Sequence, residues 1–335
     1  MSQQTLEAVI RKTLAATEQE ITYAFQGGEP TLRGLDFFRS AVALVNRYNT
    51  RGIRVYYALQ TNGLRLDGEW CRFLRENNFL VGVSVDGTRS LHDACRRTCG
   101  GEPTYDRVTE NLEWLRQAGV ECNVLTVVTE ELAGHAREIY EHYRSRGWNF
   151  QQYIPCLDPL GEPHGRWPGS LTARSYGRFL AELFDLWYED LLRGTQPYIG
   201  RFENDIAIAA GFPAQACDRC GICSVQYVVE ADGSAYPCDF YMLDEDLLGN
   251  FRTDSVAQMD EKRREIGFVE RSRRIARKCR SCPFLGICRS GCQRSRVYLP
   301  REDAYVSRFC EGYEFYFSHC LGRMQRIARK VRTSR

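Results

Sequence analysis

Nine of the fifteen cysteines fall between Cys217 and Cys310. They read Cys217-x2-Cys220-x2-Cys223, then fourteen residues to Cys238, then Cys279-x2-Cys282-x5-Cys288-x3-Cys292, then seventeen residues to Cys310. Thiolates grouped this densely bind a soft metal or an iron–sulfur cluster, or they form disulfides. Eight of them complete two four-thiolate sites and one is spare. Zinc ribbons use the same Cys-x2-Cys pairs and the same four thiolates, so spacing alone leaves zinc and iron–sulfur both open. The remaining cysteines, Cys71, Cys95, Cys99, Cys122, Cys156 and Cys320, are scattered and read as small buried hydrophobes.

A second set of chemically able residues lies in polar, glycine-bearing turns: Gln26-Gly27-Gly28-Glu29, Thr61-Asn62-Gly63, Asp86-Gly87 and Asp158. Each follows a short apolar run. Asn62-Gly63 alone is an ordinary turn dipeptide. The shared placement is what favours a site, because parallel α/β folds bind ligands at the carboxyl ends of their strands.

The elements that must position these turns follow from periodicity. Leu6, Val9, Ile10 and Leu14 recur at helical spacing, so Thr5–Thr17 is an amphipathic helix. Strands are expected at Ile21–Phe25, Ile53–Leu59, Phe79–Val85, Cys122–Thr129 and Phe150–Ile154. Helices are expected between them at Leu35–Tyr48, Gly68–Asn77, Tyr105–Ala118 and Gly134–Arg146. Strands alternating with helices imply a parallel sheet with right-handed crossovers, as a barrel, a partial barrel or a doubly wound sheet. The first element is a helix with no strand before it, so the Ile21–Phe25 strand is expected to present an unpaired edge. A Gly- and Pro-rich stretch from Pro159 to Ser170 reads as the domain exit. The long helix Leu171–Leu192 carries an aromatic stripe that reads as core. Ala231-Asp232-Gly233-Ser234 signals a β-hairpin with Cys223 on one side and Cys238 on the other.

Composition narrows the function. A chain of 335 residues has room for two cored domains, and its net charge of +2 gives no bias towards nucleic acid or membrane. No apolar run approaches the roughly 18–20 residues of a membrane span. Residues 1–20 lack the apolar core of a signal peptide. A cytoplasmic protein is expected, and there a cysteine cluster points to metal rather than disulfides. The basic stretch Arg323–Arg335 reads as a solvated helix face.

Gly27-Gly28-Glu29-Pro30 after a strand, Asn62-Gly63, Ser84-Val-Asp86-Gly87 and the late cysteine array together resemble the radical S-adenosylmethionine enzymes with a SPASM domain. Within that group the chain is most similar to the anaerobic sulfatase-maturating enzymes. Phe25-Gln-Gly-Gly-Glu-Pro-Thr31, Cys156-Leu-Asp-Pro159, Trp187-Tyr-Glu-Asp190 and Gly233-Ser-Ala-Tyr-Pro-Cys-Asp-Phe-Tyr241 carry this similarity. It implies an α/β fold: a partial (β/α)6 TIM-like barrel, with its first strand missing here, plus a C-terminal cysteine-rich SPASM domain. The expected boundaries are 1–165 for the barrel, 166–205 for a connecting helical segment and 206–335 for the SPASM domain.

The resemblance also implies roles. Two auxiliary [4Fe–4S] clusters are expected, the first on Cys217, Cys223, Cys238 and Cys292, the second on Cys279, Cys282, Cys288 and Cys310. Cys220 is the spare. S-adenosylmethionine is expected against Gln26, Gly27, Gly28 and Glu29, with Ser84 and Arg96 near its ribose and carboxylate and Leu157 near its adenine. On the residues alone, Arg96 and Arg97 read as a surface pair. Asp239 is the expected catalytic base. The implied reaction is reductive cleavage of S-adenosylmethionine, hydrogen abstraction from a cysteine or serine β-carbon, and oxidation to Cα-formylglycine. The implied partners are an unfolded sulfatase polypeptide with a Cys/Ser-x-Pro-x-Arg motif and an electron donor such as flavodoxin or ferredoxin.

The family's Cys-x3-Cys-x2-Cys motif, which holds the radical-generating cluster, is not in this sequence. The expectation is a chain shortened at its amino end, inactive alone in cleaving S-adenosylmethionine. The alternatives are another SPASM peptide-modifying enzyme and a non-catalytic metal-binding module.

Overall fold

The computed structural model describes residues 1–333, so the last two residues of the basic stretch lie outside the described residues. The first half runs α1 (Gln3–Ala16), β1 (Glu20–Phe25), α2 (Leu35–Tyr48), β2 (Arg54–Thr61), α3 (Gly68–Glu76), β3 (Phe79–Ser84), α4 (Arg89–Cys95), α5 (Tyr105–Gln117), β4 (Glu121–Val128), α6 (Ala136–Ser145) and β5 (Phe150–Pro155). Then come α7 (Ala173–Arg193), β6 (Tyr198–Ile199), α8 (Gly200–Ala209), α9 (Cys217–Cys220), β7 (Val228–Val229), β8 (Ser234–Tyr236) and β9 (Gly249–Asn250). The chain ends with α10 (Val256–Glu265), α11 (Phe268–Arg273), α12 (Arg277–Arg280), α13 (Leu285–Cys288), β10 (Arg296–Leu299), β11 (Ala304–Ser307) and α14 (Cys310–Thr333).

The main sheet has six strands in the order β1-β2-β3-β4-β5-β6. The pairs β1–β2, β2–β3, β4–β5 and β5–β6 are parallel. Sequential order with no reversal is the topology of a barrel wall and excludes the doubly wound alternative, whose strand order switches direction. β1 is an end strand of this sheet, as the sequence implied. Among the described residues no helix is long and apolar enough to cross a membrane.

The chain forms two compact units, the first from Met1–Ser84, Asp106–Cys122 and Val225–Val269. Its core is built on α1, whose two faces serve different neighbours. Leu6, Ile10 and Leu14 pack with Ala41, Leu44 and Val45 of α2 and with Ile53. Val9 packs instead with Ala235, Leu248, Phe251 and Met259, under the antiparallel β7-β8-β9 sheet and α10. Lys12 Nζ donates to the Asp254 carbonyl at 2.7 Å, which adds a polar tie to the same contact. One helix thus fixes the first parallel strand and the hairpin that leads to Cys238. An aromatic nest of Phe25, Phe38, Trp70 and Phe79 extends this packing from α2 to α3 and β3.

The second unit comprises Val85–Tyr105, Asn123–Ser224 and Glu270–Arg335. Its frame is the pair α7 and α14, which cross so closely that Gly177 and Gly312 meet backbone to backbone. Tyr176, Phe179, Phe184 and Trp187 of α7 are all buried, so the aromatic stripe is core. Met324 and Ala328 of α14 are also buried, so the basic C-terminal helix has an inward apolar face beside its charged one.

Candidate active site and cysteine centres

In the first unit the turn after β1 is open. Gly27 and Gly28 adopt left-handed backbone, φ +93° and +54°, and an added Cβ at either would meet nothing within 4 Å. Bare backbone there can be approached closely by a ligand. Glu29 is engaged by its own chain. Its Oε1 accepts from Thr31 N at 3.0 Å, Thr31 Oγ1 at 2.6 Å and Thr61 Oγ1 at 2.8 Å, and its Oε2 accepts from Asn62 N at 2.7 Å. Three of these donors share Oε1 and one takes Oε2, so Glu29 staples the turn after β1 to the turn after β2. Gly63 in that second turn must be glycine: its φ is +76° and a Cβ would lie 2.9 Å from Val83 Cγ1. At the end of β3, Ser84 Oγ accepts from Gln60 Nε2 at 3.2 Å.

The same unit brings Gln26 and Asp239 together. Gln26 Nε2 donates to Asp239 Oδ2 at 3.1 Å. Cys238 Sγ lies 3.2 Å from the other carboxylate oxygen, Oδ1. Asp239 therefore stands between the turn after β1 and the cysteine that precedes it.

In the second unit, Asp86 is the organising carboxylate. Its side chain is 5% exposed and pairs with Arg96 Nε at 2.5 Å, while Oδ1 accepts from Val127 N at 2.8 Å. This corrects the reading of Arg96 as half of a surface pair: a buried partner on the turn after β3 fixes it. Arg97 is exposed, donating to the Gly101 carbonyl. His92, fully buried, accepts from Asp86 N through Nδ1 at 3.2 Å. Burial lowers the His92 pKa to about 4, although the carboxylate of Asp86 opposes the shift.

Leu157 is half-buried in the segment after β5, and its neighbour Asp158 locks that segment. Asp158 Oδ2 accepts from Arg308 Nη1 at 2.7 Å and from Gly165 N at 3.2 Å, Ser170 Oγ donates to Oδ1, and Arg294 donates to the Asp158 carbonyl. Burial alone would push the Asp158 carboxyl up; the hydrogen bonds from Ser170 and Gly165 and the charge of Arg308 hold it down to about 2. The sequence singled out Asp158 but not its two arginine partners, which lie more than a hundred residues away.

The thiols of the second unit fall into two groups. Burial pushes the Cys292 thiol up to about 11, and negative charge on Cys217 and Cys223 pushes it the same way. Cys288 is raised by burial and by Cys310 and Cys279; Cys310 is raised by burial and by Cys279 and Cys282. So Cys217, Cys223 and Cys292 are electrostatic neighbours, with Cys220 also beside Cys217, and so are Cys279, Cys282, Cys288 and Cys310. All fifteen cysteines are free thiols. Among the described residues no three Cys, His, Asp or Glu side chains converge as they would around a single ion. Buried thiols that raise one another remain protonated until a multivalent cation neutralises them, and the donor set is all sulfur, as four-thiolate clusters require. Cys238 belongs to the first unit, where it follows β8. Cys220 points its Sγ at the carbonyls of Ala216, 3.5 Å away, and Ala214, 3.8 Å away.

The reading of the scattered cysteines needs correction. Cys71 and Cys320 are buried, but Cys95 and Cys99 are exposed, because they flank the end of α4 and the surface loop that follows it.

Residues 2–143 match the Radical SAM superfamily model, and residues 217–283 match an iron-sulfur cluster-binding domain, SPASM. A cysteine-type anaerobic sulfatase-maturating enzyme of Clostridium novyi (strain NT) is 37% identical over 97% of this chain and 87% of its own length. A serine-type enzyme of Bacteroides thetaiotaomicron is 29% identical over 95% of this chain and 80% of its own length. The solved structure of native anSMEcpe with bound AdoMet and Kp18Cys peptide superposes with a TM-score of 0.94 at 36% identity, covering 98% of this chain and 91% of that one. SuiB of Streptococcus suis bound to S-adenosylmethionine shares the fold alone, with a TM-score of 0.61 at 14% identity over 93% of this chain and 70% of that one. By sequence along nearly its whole length and by fold, this chain belongs to the anaerobic sulfatase-maturating enzyme family of radical S-adenosylmethionine proteins.

Proposed function

We propose that this chain is the body of an enzyme that oxidises a cysteine or serine side chain of an unfolded sulfatase polypeptide to Cα-formylglycine. The observation that carries the reading is the hydrogen bond between Gln26 and Asp239, which sets a carboxylate beside the open glycine turn after β1. Higher identity to the cysteine-type relative than to the serine-type one favours cysteine as the residue oxidised.

Bound S-adenosylmethionine with a reduced iron–sulfur cluster supplies hydrogen-atom abstraction, and the two auxiliary clusters supply an exit for electrons. The residues of this chain do the rest. Gly27 and Gly28 offer backbone carbonyls to the cofactor's ammonium group, while Glu29 holds their turn in shape and adds negative charge nearby. Ser84 and Arg96 would hold ribose and carboxylate. Leu157, fixed by the Asp158 lock, would give backbone contacts to adenine. Asp239 accepts the proton that the substrate thiol or hydroxyl must lose. Gln26 orients that carboxylate through Oδ2. Cys238 as a thiolate ligand cannot donate to Oδ1, which leaves that oxygen free to take the proton. Cys217, Cys223, Cys238 and Cys292 would hold one auxiliary cluster, and Cys279, Cys282, Cys288 and Cys310 the other.

Residues 1–165 would serve as the barrel, 166–205 as the connection and 206–335 as the SPASM domain. The same reading includes a cytoplasmic setting with flavodoxin or ferredoxin as reductant. The test is to place a Cys-x3-Cys-x2-Cys segment ahead of Met1 and incubate the anaerobic, reduced protein with a Cys-x-Pro-x-Arg peptide. Formylglycine detected by mass is the expected result. A thioether cross-link instead would assign the chain to a different peptide-modifying reaction.

A further inference from the structure

The segment joining Cys288 to Cys292 has an unusual backbone. Arg289, Ser290 and Gly291 are consecutive left-handed residues, with φ of +49°, +67° and +66°. Only the last is a glycine, and non-glycine residues in this region cost of order 1 kcal/mol or more each, so the surroundings must impose the turn. What imposes it is Arg296. Its Nε donates to the Ser290 carbonyl at 3.1 Å, and its Nη2 to the Gly291 carbonyl at 2.7 Å and the Arg289 carbonyl at 3.4 Å. Its Nη1 donates to the Ser272 carbonyl at 2.5 Å, and the Ser272 hydroxyl in turn accepts from Cys223 N at 2.9 Å. One guanidinium therefore gathers all three carbonyls of the turn and reaches the backbone beside Cys223.

Arg296 is also a buried cation without an anion. The buried Arg219 pairs with Asp205 at 2.8 Å and Arg308 with Asp158 at 2.7 Å. Arg296 is 8% exposed, and among the described residues it forms no ion pair with a carboxylate. Carbonyls satisfy its hydrogen bonds but leave its charge uncompensated, which is costly in an interior. Burial disfavours its charge, and the groups whose ionised form would offset that cost are the thiols of Cys223 and Cys292, from one group, and of Cys279 and Cys288, from the other.

We propose that Arg296 is a positioning residue shared by both auxiliary iron–sulfur sites: its guanidinium fixes the Cys288–Cys292 turn that links them, and its charge offsets that of both clusters. This rests on the two-cluster reading above. A cluster held by four thiolates is anionic, and nearby positive charge favours its reduced form. The arrangement thus holds two electron acceptors in fixed register and raises both potentials.

The experiment compares the unsubstituted chain with R296Q and R296K, each loaded anaerobically. Iron content, chelator-driven iron release and redox titration followed by electron paramagnetic resonance are measured. R296Q should shift both midpoint potentials to more negative values. R296K keeps the charge but cannot bridge four carbonyls, so its potentials should stay near the parent's while iron leaves about 10–100-fold faster, the usual cost of losing a group that orients metal ligands. R296Q potentials equal to the parent's would overturn the charge role. Release from R296K at the parent's rate would overturn the positioning role, and it decides the matter should R296Q fail to fold. An unsubstituted chain that takes up no iron would instead overturn the two-cluster reading, and Arg296's role with it.

Discussion

Gln26 and Asp239, which are 213 positions apart in the chain, are joined by a 3.1 Å hydrogen bond from the glutamine amide to carboxylate Oδ2. Each is held from behind. The Glu29 staple fixes the turn that carries Gln26. The β7-β8-β9 sheet leads to Asp239, and α1 packs under both through Leu6, Ile10 and Val9. The carboxylate is thus presented with one oxygen oriented and the other turned towards Cys238.

Asp239→Asn should separate cofactor cleavage from product formation. Asparagine is nearly isosteric and is not basic, so it cannot take the substrate proton. Losing a general base typically costs about 10²–10⁴ in rate. In the protein carrying the Cys-x3-Cys-x2-Cys segment, 5′-deoxyadenosine should still form while formylglycine falls by that order. Both products are counted in one reaction by mass spectrometry. Equal losses would indicate damage at Cys238, and undiminished formylglycine would place the base elsewhere.

The strands and the turns after them were legible because apolar runs such as Ile21–Phe25 and Phe79–Val85 end abruptly in Gly and Asp. β6, two residues long, carries no readable period, and neither its existence nor α8 behind it was anticipated. Partnerships were the larger gap. Nothing local marks Asp86 as the partner of Arg96, or Arg294 and Arg308 as the partners of Asp158, since chain distance and spatial distance are unrelated across an α/β fold. Glu29 shows a second kind of gap: its sequence motif suggested a group near ligand, but nothing local foretold that its carboxylate would also tie Thr31, Thr61 and Asn62 together. The left-handed run at Arg289 and Ser290 was invisible because those residue types do not advertise positive φ.

Anaerobically loaded protein should contain about eight iron and eight sulfide, as two four-thiolate [4Fe–4S] clusters require. Cys220→Ala should leave that content unchanged, because its thiol faces two backbone carbonyls and on the proposed assignment the other eight cysteines complete both sites. Cys292→Ala should lower it. Elemental analysis that finds two zinc and negligible iron would sink the assignment.

His92 should make the fold acid-sensitive. Burial, opposed by Asp86 and Asp93 and aided by Arg96, depresses its pKa from 6.5 to about 4. Above pH 6.5 the imidazole is neutral in both folded and unfolded chains and contributes no pH dependence. Between 6.5 and 4 only the unfolded chain binds the proton, so stability falls as pH falls, by about 3 kcal/mol across the window. Thermal midpoints at pH 7.5 and 5.5 should differ more in the unsubstituted chain than in His92→Gln, which does not titrate. The same pH slope in both would remove His92 as the cause.

Gly312→Ala should loosen the second unit and, with it, the site at Cys310. A Cβ on Gly312 would lie 2.0 Å from the Ala173 carbonyl oxygen, and one on Gly177 would lie 2.5 Å from the Gly312 carbonyl oxygen. Those neighbours are helix backbone, which cannot rotate away, so α14 must move as a body against α7. Overpacking of this kind costs about 1–3 kcal/mol, more than the roughly 1 kcal/mol that alanine gains over glycine in a helix interior. Because α14 begins at Cys310, the displacement acts on that thiol first, and iron content should fall along with the thermal midpoint. Gly322 in the same helix supplies the control: a Cβ there meets nothing within 4 Å. Gly322→Ala should therefore gain the helix propensity without the clash, raise the midpoint slightly and keep its iron. If the two alanine variants melt together and hold equal iron, the backbone contact between α7 and α14 is not what holds Cys310 in place.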